Sequence, residues 1–484
     1  MSKRIGIVGS GVGGLATAAR LSRQGFGVEV FEKLPECGGR NHMLEDKGFK
    51  FDMGPSFVLM PDLFEEVFSY CGLNLKDHLH LKVLDPSYKI YFADGDSLTV
   101  YQDSEKTKEE LERIEKGSGR GFDKFIRETS KIYKAVRPLL YKCFTPSDSF
   151  NPGYWGLISK IRALDTYWKL AKKYFKSDKL CYALTFEAMF MGVSPFEAPA
   201  FYSVISYADH VQKVFHPMGG MYQIPLALEA VAKNQGAKFH YHSEVKHIRK
   251  ENGFFHLHTN ERKMTFDNVV INADYAYTLS HLLGRRMPNY KYSCSVYLLY
   301  LGLKRKVKSF AHHNLFFSGG LEKYLNQIFK DKIVPIDPSF YLHVPTVTDP
   351  SLAPEGKEIF YILVPVSNLQ NTKEDLSEHE DRLRKQVFTR ISEILGEGLE
   401  DLIEVEHRFY PRDFIDRYNI QFGATFGLAH NLMQSAFFRP PNFDSKIKGL
   451  YFVGASTQPG GGLPVVIAGS KIVADLIRQE KRYN

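Results

Sequence analysis

Residues Arg4–Gly25 read "RIGIVGSGVGGLATAARLSRQG". An apolar run, spaced glycines and a small-residue helix start follow one another without a break. Gly9, Gly11 and Gly14 stand as G-x-G-x-x-G between strand and helix, and Glu32 closes the next strand, "VEVFEK" (Val28–Lys33). Such a turn lets the backbone approach a pyrophosphate, which rests on the helix N-terminus. The acid accepts from a ribose hydroxyl and repels a 2′-phosphate. A glycine-rich turn alone says little, but in this strand–helix–acid setting it predicts a dinucleotide site.

Two further stretches select the dinucleotide. "CGGRNH" (Cys37–His42) puts Gly38, Gly39 and Arg40 just past the acid, where Arg40 can offer a second set of donors to the pyrophosphate. A bare NAD domain would continue into a simple helix and strand, so FAD is expected. Near the C-terminus, "YFVGASTQPGGGLPVVIAGSK" (Tyr451–Lys471) reads as a strand ending at Gly454, a glycine turn and a helix from about Pro464. Proline suits a first helical turn. The helix dipole there would favour negative charge on a reduced flavin ring. Both ends of the chain are expected to close on one FAD.

With 484 residues, two or three domains are expected. Nucleotide-domain grammar returns in "GGMYQIPLALEAVAKNQG" and "NVVINAD". The expected architecture is α/β. A Rossmann-type FAD-binding domain is assembled from the discontinuous segments 1–75, 219–285 and 440–484. A mixed-sheet substrate domain covers 76–140 and 286–439, and a helical, membrane-associating insertion covers 141–218. Residues 62–135 read as helical and charged. Residues 290–415 read as strands with one charged helix near 374–395.

Composition excludes several classes. A net charge of +8 is mild for this length, and no compact basic reader motif points to nucleic acid. Cys37, Cys71, Cys143, Cys181 and Cys294 are scattered and odd in number, so free thiols in a reducing compartment and no metal site are expected. Met1 leads into a strand rather than a leader, and no apolar run spans a bilayer. The 37 Phe and 27 Tyr suit a large apolar cavity. "YWGLISKIRALDTYWKLAKKYFKSDKL" holds both tryptophans, Trp155 and Trp168, among seven basic residues. That mixture suits an anionic membrane surface, the alternative being a solvated helix pair. A cytoplasmic protein attached peripherally to a membrane is expected.

The chain resembles the bacterial and fungal-type phytoene desaturases, FAD-dependent carotenoid desaturases of the amine-oxidase-like flavoproteins. The likeness covers nearly the whole chain. It rests on "GSGVGG", "GGR", "FDMGPSFVLMPDLF", "MGVSPFEAP", "HPMGGMYQIPLAL", "DPSLAPEGKEIFYILVPV", "FGLAHNLMQSAFFRPPN" and the C-terminal "FVGASTQPGGGLPVVIAGSK". It implies FAD contacts from Gly9, Ser10, Gly11, Val12, Gly13, Gly14, Glu32, Lys33, Gly39 and Arg40. It further implies contacts from Val245 at the adenine, and from Gly454, Ala455, Leu463, Pro464, Val465 and Val466 at the flavin end. Gly54, Pro55 and Ser56 would lie near the ring or the substrate tunnel. Ala455 and Ser456 replace the acid that amine oxidases carry after the last strand, which favours the desaturase branch. A hydrophobic C-terminal extension typical of fungal members is missing, so attachment of the surface type is expected.

The implied reaction passes a hydride from a long polyene precursor, phytoene or a close relative, to the flavin, towards lycopene-type polyenes. Oxygen or a quinone would reoxidise it. Asp148 in "TPSDSF" stands near an acid–base candidate position, with a surface turn as the alternative. Arg439 in "FFRPP" is a candidate for substrate placement or a structural ion pair. His216 and His430 read as core or turn histidines. Within the same family a carotenoid isomerase or a 3,4-desaturase or oxidase stays open. Outside it, a flavin amine oxidase and a non-catalytic carotenoid-binding flavoprotein stay open.

Overall fold

A computed structural model describes residues 3–483. The apolar run after Arg4 forms a strand (Arg4–Val8), and the turn leads into a helix (Val12–Arg23). This strand is the centre of a five-stranded parallel sheet. The strand Gly27–Phe31 and then Lys238–His240 lie on one side, and Asn268–Ile271 and then Leu450–Phe452 on the other. Parallel strands covered on both faces need continuous apolar runs. "NVVI" and "LYF" are buried throughout. Helix Val12–Arg23 packs against Gln223–Asn234 and Leu463–Tyr483, so segments far apart in sequence share its faces. Leu15 and Leu21 are fully buried there, each worth about 2 kcal/mol of apolar burial.

A seven-stranded sheet forms the second layer, in the order Ile403–Phe409, Ser295–Leu303, Glu358–Val366, Phe340–His343, His313–Phe316, Tyr88–Tyr91 and Ser97–Val100. The pairing is antiparallel except where His313–Phe316 runs parallel to Tyr88–Tyr91. Strand alternation sorts its residues between two cores. Val296, Leu298 and Tyr361 face the large central core, while Tyr297, Leu299 and Phe360 face another core that includes helix Glu380–Leu395.

One expectation needs correction. The stretch 62–135 is not wholly helical: Leu81–Val83, Tyr88–Tyr91 and Ser97–Val100 are strands, and helices occupy Pro61–Tyr70, Ser104–Ile114 and Ser118–Val136. In "YKIY" all but Lys89 are buried, and the strand pairs with Ser97–Val100. The basic, aromatic stretch forms no continuous amphipathic helix. It breaks into Trp155–Lys160, Tyr167–Lys172 and Asp178–Ala183. Tyr167 and Phe175 are core residues, and Trp168 packs on Tyr182 and Phe196. Arg162 pairs with Glu128 and Asp165, and Lys179 with Asp94. Among the described residues no helix is long and apolar enough to cross a membrane.

Candidate functional site

The phosphate-type turn is built by close approach. Gly9 adopts φ of 95°, which favours glycine, and a Cβ on Gly13 would meet Asn272 Oδ1 at 2.6 Å and Val466 at 2.7 Å. The helix that follows has Gly11 as N-cap, no side-chain cap and no acid in its first turn. Its first N–H groups therefore remain available to an anion. Gly38 donates its N–H to the carbonyl of Ser10 at 2.9 Å, so "GGR" stacks on the turn. Glu32 accepts from Ser10 N (2.8 Å), Ser10 Oγ (2.9 Å) and Leu34 N (3.0 Å). A carboxylate has about four lone-pair sites, so one remains for a ribose hydroxyl.

One cavity joins the two ends of the chain. Its wall includes Gly9, Gly11, Val12, Gly13, Glu32, Lys33, Gly39, Arg40, Gly54, Pro55, Ser56 and Val245. Gly454, Ala455, Leu463, Pro464, Val465 and Val466 line the same cavity. Ser10 and Gly14 stand outside it: Ser10 holds Glu32, and Gly14 packs beneath the turn against Asn272. Lys33 donates to Asp416 O (3.1 Å) and Asn419 Oδ1 (2.9 Å), and burial lowers its pKa. Arg40 donates to Thr425 O at 2.5 Å, and burial lowers its pKa against the raising pull of Asp274.

Much of the remaining cavity wall is apolar and aromatic, with Phe57, Phe186, Phe190, Phe317, Tyr324 and Tyr341 among its residues, and Glu244, Asn272, Asp274 and Arg417 add polar groups. Tyr341 donates its hydroxyl to Ser56 Oγ at 2.8 Å and lies 2.7 Å from His313 Nδ1. His430 lies in the wall beside the C-terminal turn. Its Nε2 accepts the N–H of Gly461 at 3.1 Å, which assigns the ring proton to Nδ1, 3.2 Å from Met191 O. Burial holds this imidazole well below its ordinary pKa, hence neutral.

Neither proposed catalytic side chain lies in the cavity wall. Asp148 caps a short helical turn, accepting from Thr145 N (2.6 Å) and Thr145 Oγ1 (2.9 Å). Those bonds, rather than a neighbouring charge, lower its pKa, and the surface-turn alternative describes it. Arg439 is 1% exposed and has no carboxylate partner among the described residues. Its guanidinium donates to the carbonyls of Thr457 (3.2 Å), Gln434 (2.9 Å), Leu428 (3.4 Å), Ala429 (3.5 Å) and Ala455. Burial lowers its pKa to about 10, so it stays a cation at neutral pH. It ties residues 428–434 to the strand end 455–457. Among the described residues it is not half of an ion pair. Asn272 and His430 are the polar groups that sequence reasoning passed over or read as core. "NVVINAD" marked the strand but not the side chain that props the glycine turn.

Solved structures share this architecture. A putrescine oxidase aligns over 99% of both chains with a TM-score of 0.64 at 12% identity. A Methanosarcina mazei oxidoreductase covers 98% of this chain and 100% of its own, with a TM-score of 0.61 at 18% identity. These likenesses are of fold. The flavin containing amine oxidoreductase profile matches residues 12–478, and the chain belongs to that family. Within the family it groups with the carotenoid desaturases. It is 38% identical to a zeta-carotene-forming phytoene desaturase of Myxococcus xanthus, over 98% of this chain and 93% of the relative. It is 34% identical to a 4,4'-diapophytoene desaturase (4,4'-diaponeurosporene-forming) of Staphylococcus haemolyticus, over 98% and 99%.

Proposed function

We propose that the protein is an FAD-dependent desaturase of a long-chain carotenoid precursor, phytoene or a close relative. The observation that carries this reading is one cavity whose wall joins the glycine turns and polar groups to a large set of aromatic and aliphatic side chains. The residues present fit FAD. The uncapped helix at Gly11 and the Arg40 guanidinium suit the pyrophosphate, and Glu32 suits the ribose. The wall residue Val245 suits the adenine. Gly54 to Ser56, Gly454, Ala455 and Leu463 to Val466 would border the ring.

When bound, FAD supplies the acceptor for a hydride leaving the substrate. The chain's own contribution is placement. Phe57, Phe186, Phe190 and Tyr341 would hold a hydrocarbon and exclude water. The N-terminus of helix Leu463–Tyr483 would favour negative charge at the ring end. Arg439 and His430 hold the turn that carries this helix.

The discontinuous FAD-binding domain (1–75, 219–285, 440–484) and the substrate domain (76–140, 286–439) belong to the same proposal. The parallel sheet, drawn from distant segments, supports it. The insertion 141–218 is proposed to meet a membrane surface through its exposed side chains. Phe150 and Leu164 are each 80% exposed and Trp155 is 60% exposed. A quinone in that membrane, or oxygen, would reoxidise the flavin.

Expression in cells that accumulate phytoene, with a parallel strain accumulating its shorter diapo analogue, tests the reading. A product with a longer conjugated system in either strain is expected. Soluble, FAD-loaded protein that leaves both substrates unchanged would refute it.

A further inference from the structure

Behind the cavity wall, strand pairing brings together histidines that the sequence keeps apart. His313 and His343 are register partners on adjacent strands, and His312 precedes the first. His216 arrives on a short strand, Phe215–Pro217, from a different part of the chain. One ring nitrogen from each of His216, His312 and His343 lies within 4.8 Å of the others. All three are interior residues, at 0%, 3% and 1% exposure.

The arrangement is incomplete as protein alone. His312 Nε2 and His343 Nε2 stand 2.9 Å apart, sharing one hydrogen between two ring nitrogens. Nδ1 of fully buried His216 has no hydrogen-bond partner, and its Nε2 has only the Asp349 carboxylate, at 3.6 Å. A buried polar group without a partner costs about 1–3 kcal/mol each, and a bound ion is one of the few ways to remove that cost.

We propose that His216, His312 and His343 bind a divalent transition-metal cation of the Zn²⁺ type. Three imidazole nitrogens suit such an ion. Zn–N bonds of ~2.0 Å at the tetrahedral angle set ligand nitrogens ~3.3 Å apart. The His312–His343 pair is already near that spacing, and a modest closure of His216 completes the set. The surroundings match a metal centre. His312 Nδ1 lies 2.8 Å from Thr348 Oγ1, an orienting partner for a ligand ring. Asp349, buried beside His216, has its carboxylate 3.6 Å from Nε2, and buried Asp52 lies close enough to feel both groups. These acids offset the ion's charge in a low-dielectric interior.

The ion would clamp the seven-stranded sheet to Phe215–Pro217, which leads through Gly219 and Gly220 into helix Gln223–Asn234 of the parallel-sheet layer. Its role is structural. His216, His312 and His343 are not among the cavity-wall residues, although His343 contacts Tyr341 and Tyr361 of that wall, so the inference does not depend on the desaturase reading. The expectation of no metal site rested on cysteine spacing, which carries no information about histidines joined only by the sheet.

The test uses untagged, FAD-loaded protein. It is loaded with Zn²⁺, desalted and assayed by elemental analysis, and a chelated sample is titrated with Co²⁺. Stoichiometric Zn²⁺ retention and saturable Co²⁺ d–d bands are expected. His312→Gln and His343→Gln should lose retention and weaken Co²⁺ binding more than tenfold, with the circular dichroism spectrum unchanged. If those variants do not fold, the wild-type protein still decides, because Zn²⁺ must raise its melting temperature in a saturable way. Sub-stoichiometric retention without d–d bands, or retention undiminished in both variants, would overturn the proposal.

Discussion

Ser10 holds the Glu32 carboxylate with two hydrogen bonds to the same oxygen, from its backbone N–H at 2.8 Å and from its hydroxyl at 2.9 Å. The phosphate-type turn and the acid at the end of the second strand are thus one unit. Glu32→Ala removes a charged acceptor from both Ser10 and the proposed ribose. Hydrogen bonds to charged groups are worth about 1.5–3 kcal/mol, so FAD affinity should fall roughly tenfold to a hundredfold. Fluorescence of released flavin on dilution measures it; unchanged release would remove Glu32 from the site.

Gly13→Ala should be more severe. The new methyl would lie 2.6 Å from Asn272 Oδ1 and 2.7 Å from Val466, and overpacking of this kind costs about 1–3 kcal/mol. The expected result is a lower melting temperature together with protein that purifies without yellow colour. Companion Asn272→Ala should restore part of the stability, because it removes one of the two clashes.

Arg439→Lys keeps the charge but not the fork. Lys has three donors on a flexible stem against five fixed guanidinium donors. Buried carbonyls left unpaired cost about 1–3 kcal/mol each, so even this substitution should destabilise by several kcal/mol. Loosened flavin at temperatures where the fold persists is the second expected effect. Wild-type stability and flavin retention in the lysine variant would show that the guanidinium does not hold the turn.

Glu187 gives the protein a pH dependence of its own. It is fully buried, and desolvation raises its pKa from 4.5 to about 7, despite bonds from Ser206 Oγ (3.0 Å) and Tyr167 (3.2 Å). The folded state therefore keeps a proton that the unfolded chain gives up. The associated stability is fully present below pH 4.5 and is lost as pH rises through about 7, a swing of roughly 3 kcal/mol. Glu187→Gln should flatten the melting-temperature profile across this window and be the more stable form above it. Parallel profiles for the two proteins would contradict the assignment.

The membrane proposal turns on exposed side chains rather than on the count of basic residues. Phe150, Trp155 and Leu164 changed together to Ser should abolish co-flotation with anionic vesicles while leaving FAD content intact. Trp168 makes a poor probe, because its ring is packed against Tyr182 and Phe196. Undiminished flotation of the triple variant would sink the idea.

Much of the cofactor end was legible because its chemistry is local. A strand, a glycine turn and a helix lie within one short window, whereas Asn272 and Val466, which crowd the turn, come from far along the chain. The resemblance extended this to Val245 and the C-terminal turn, all of which line the cavity. Asp148 was a candidate only through the resemblance, with a surface turn as the alternative, and its bonds go to Thr145, three residues away. Strands at 81–100 were hidden by charged neighbours that the sheet tolerates at its edge.

By itself, the amino-acid sequence determined that two glycine turns, an acid and an apolar surplus belong to one flavin protein, since each motif encodes its own backbone conformation. Tertiary structure alone decided which polar groups meet. Arg439 finds five carbonyls and no acid, His430 finds Gly461, and three histidines from separate strands converge. The reason is that burial forces polar atoms to take partners wherever packing brings them, and strand register, not proximity along the chain, sets those encounters.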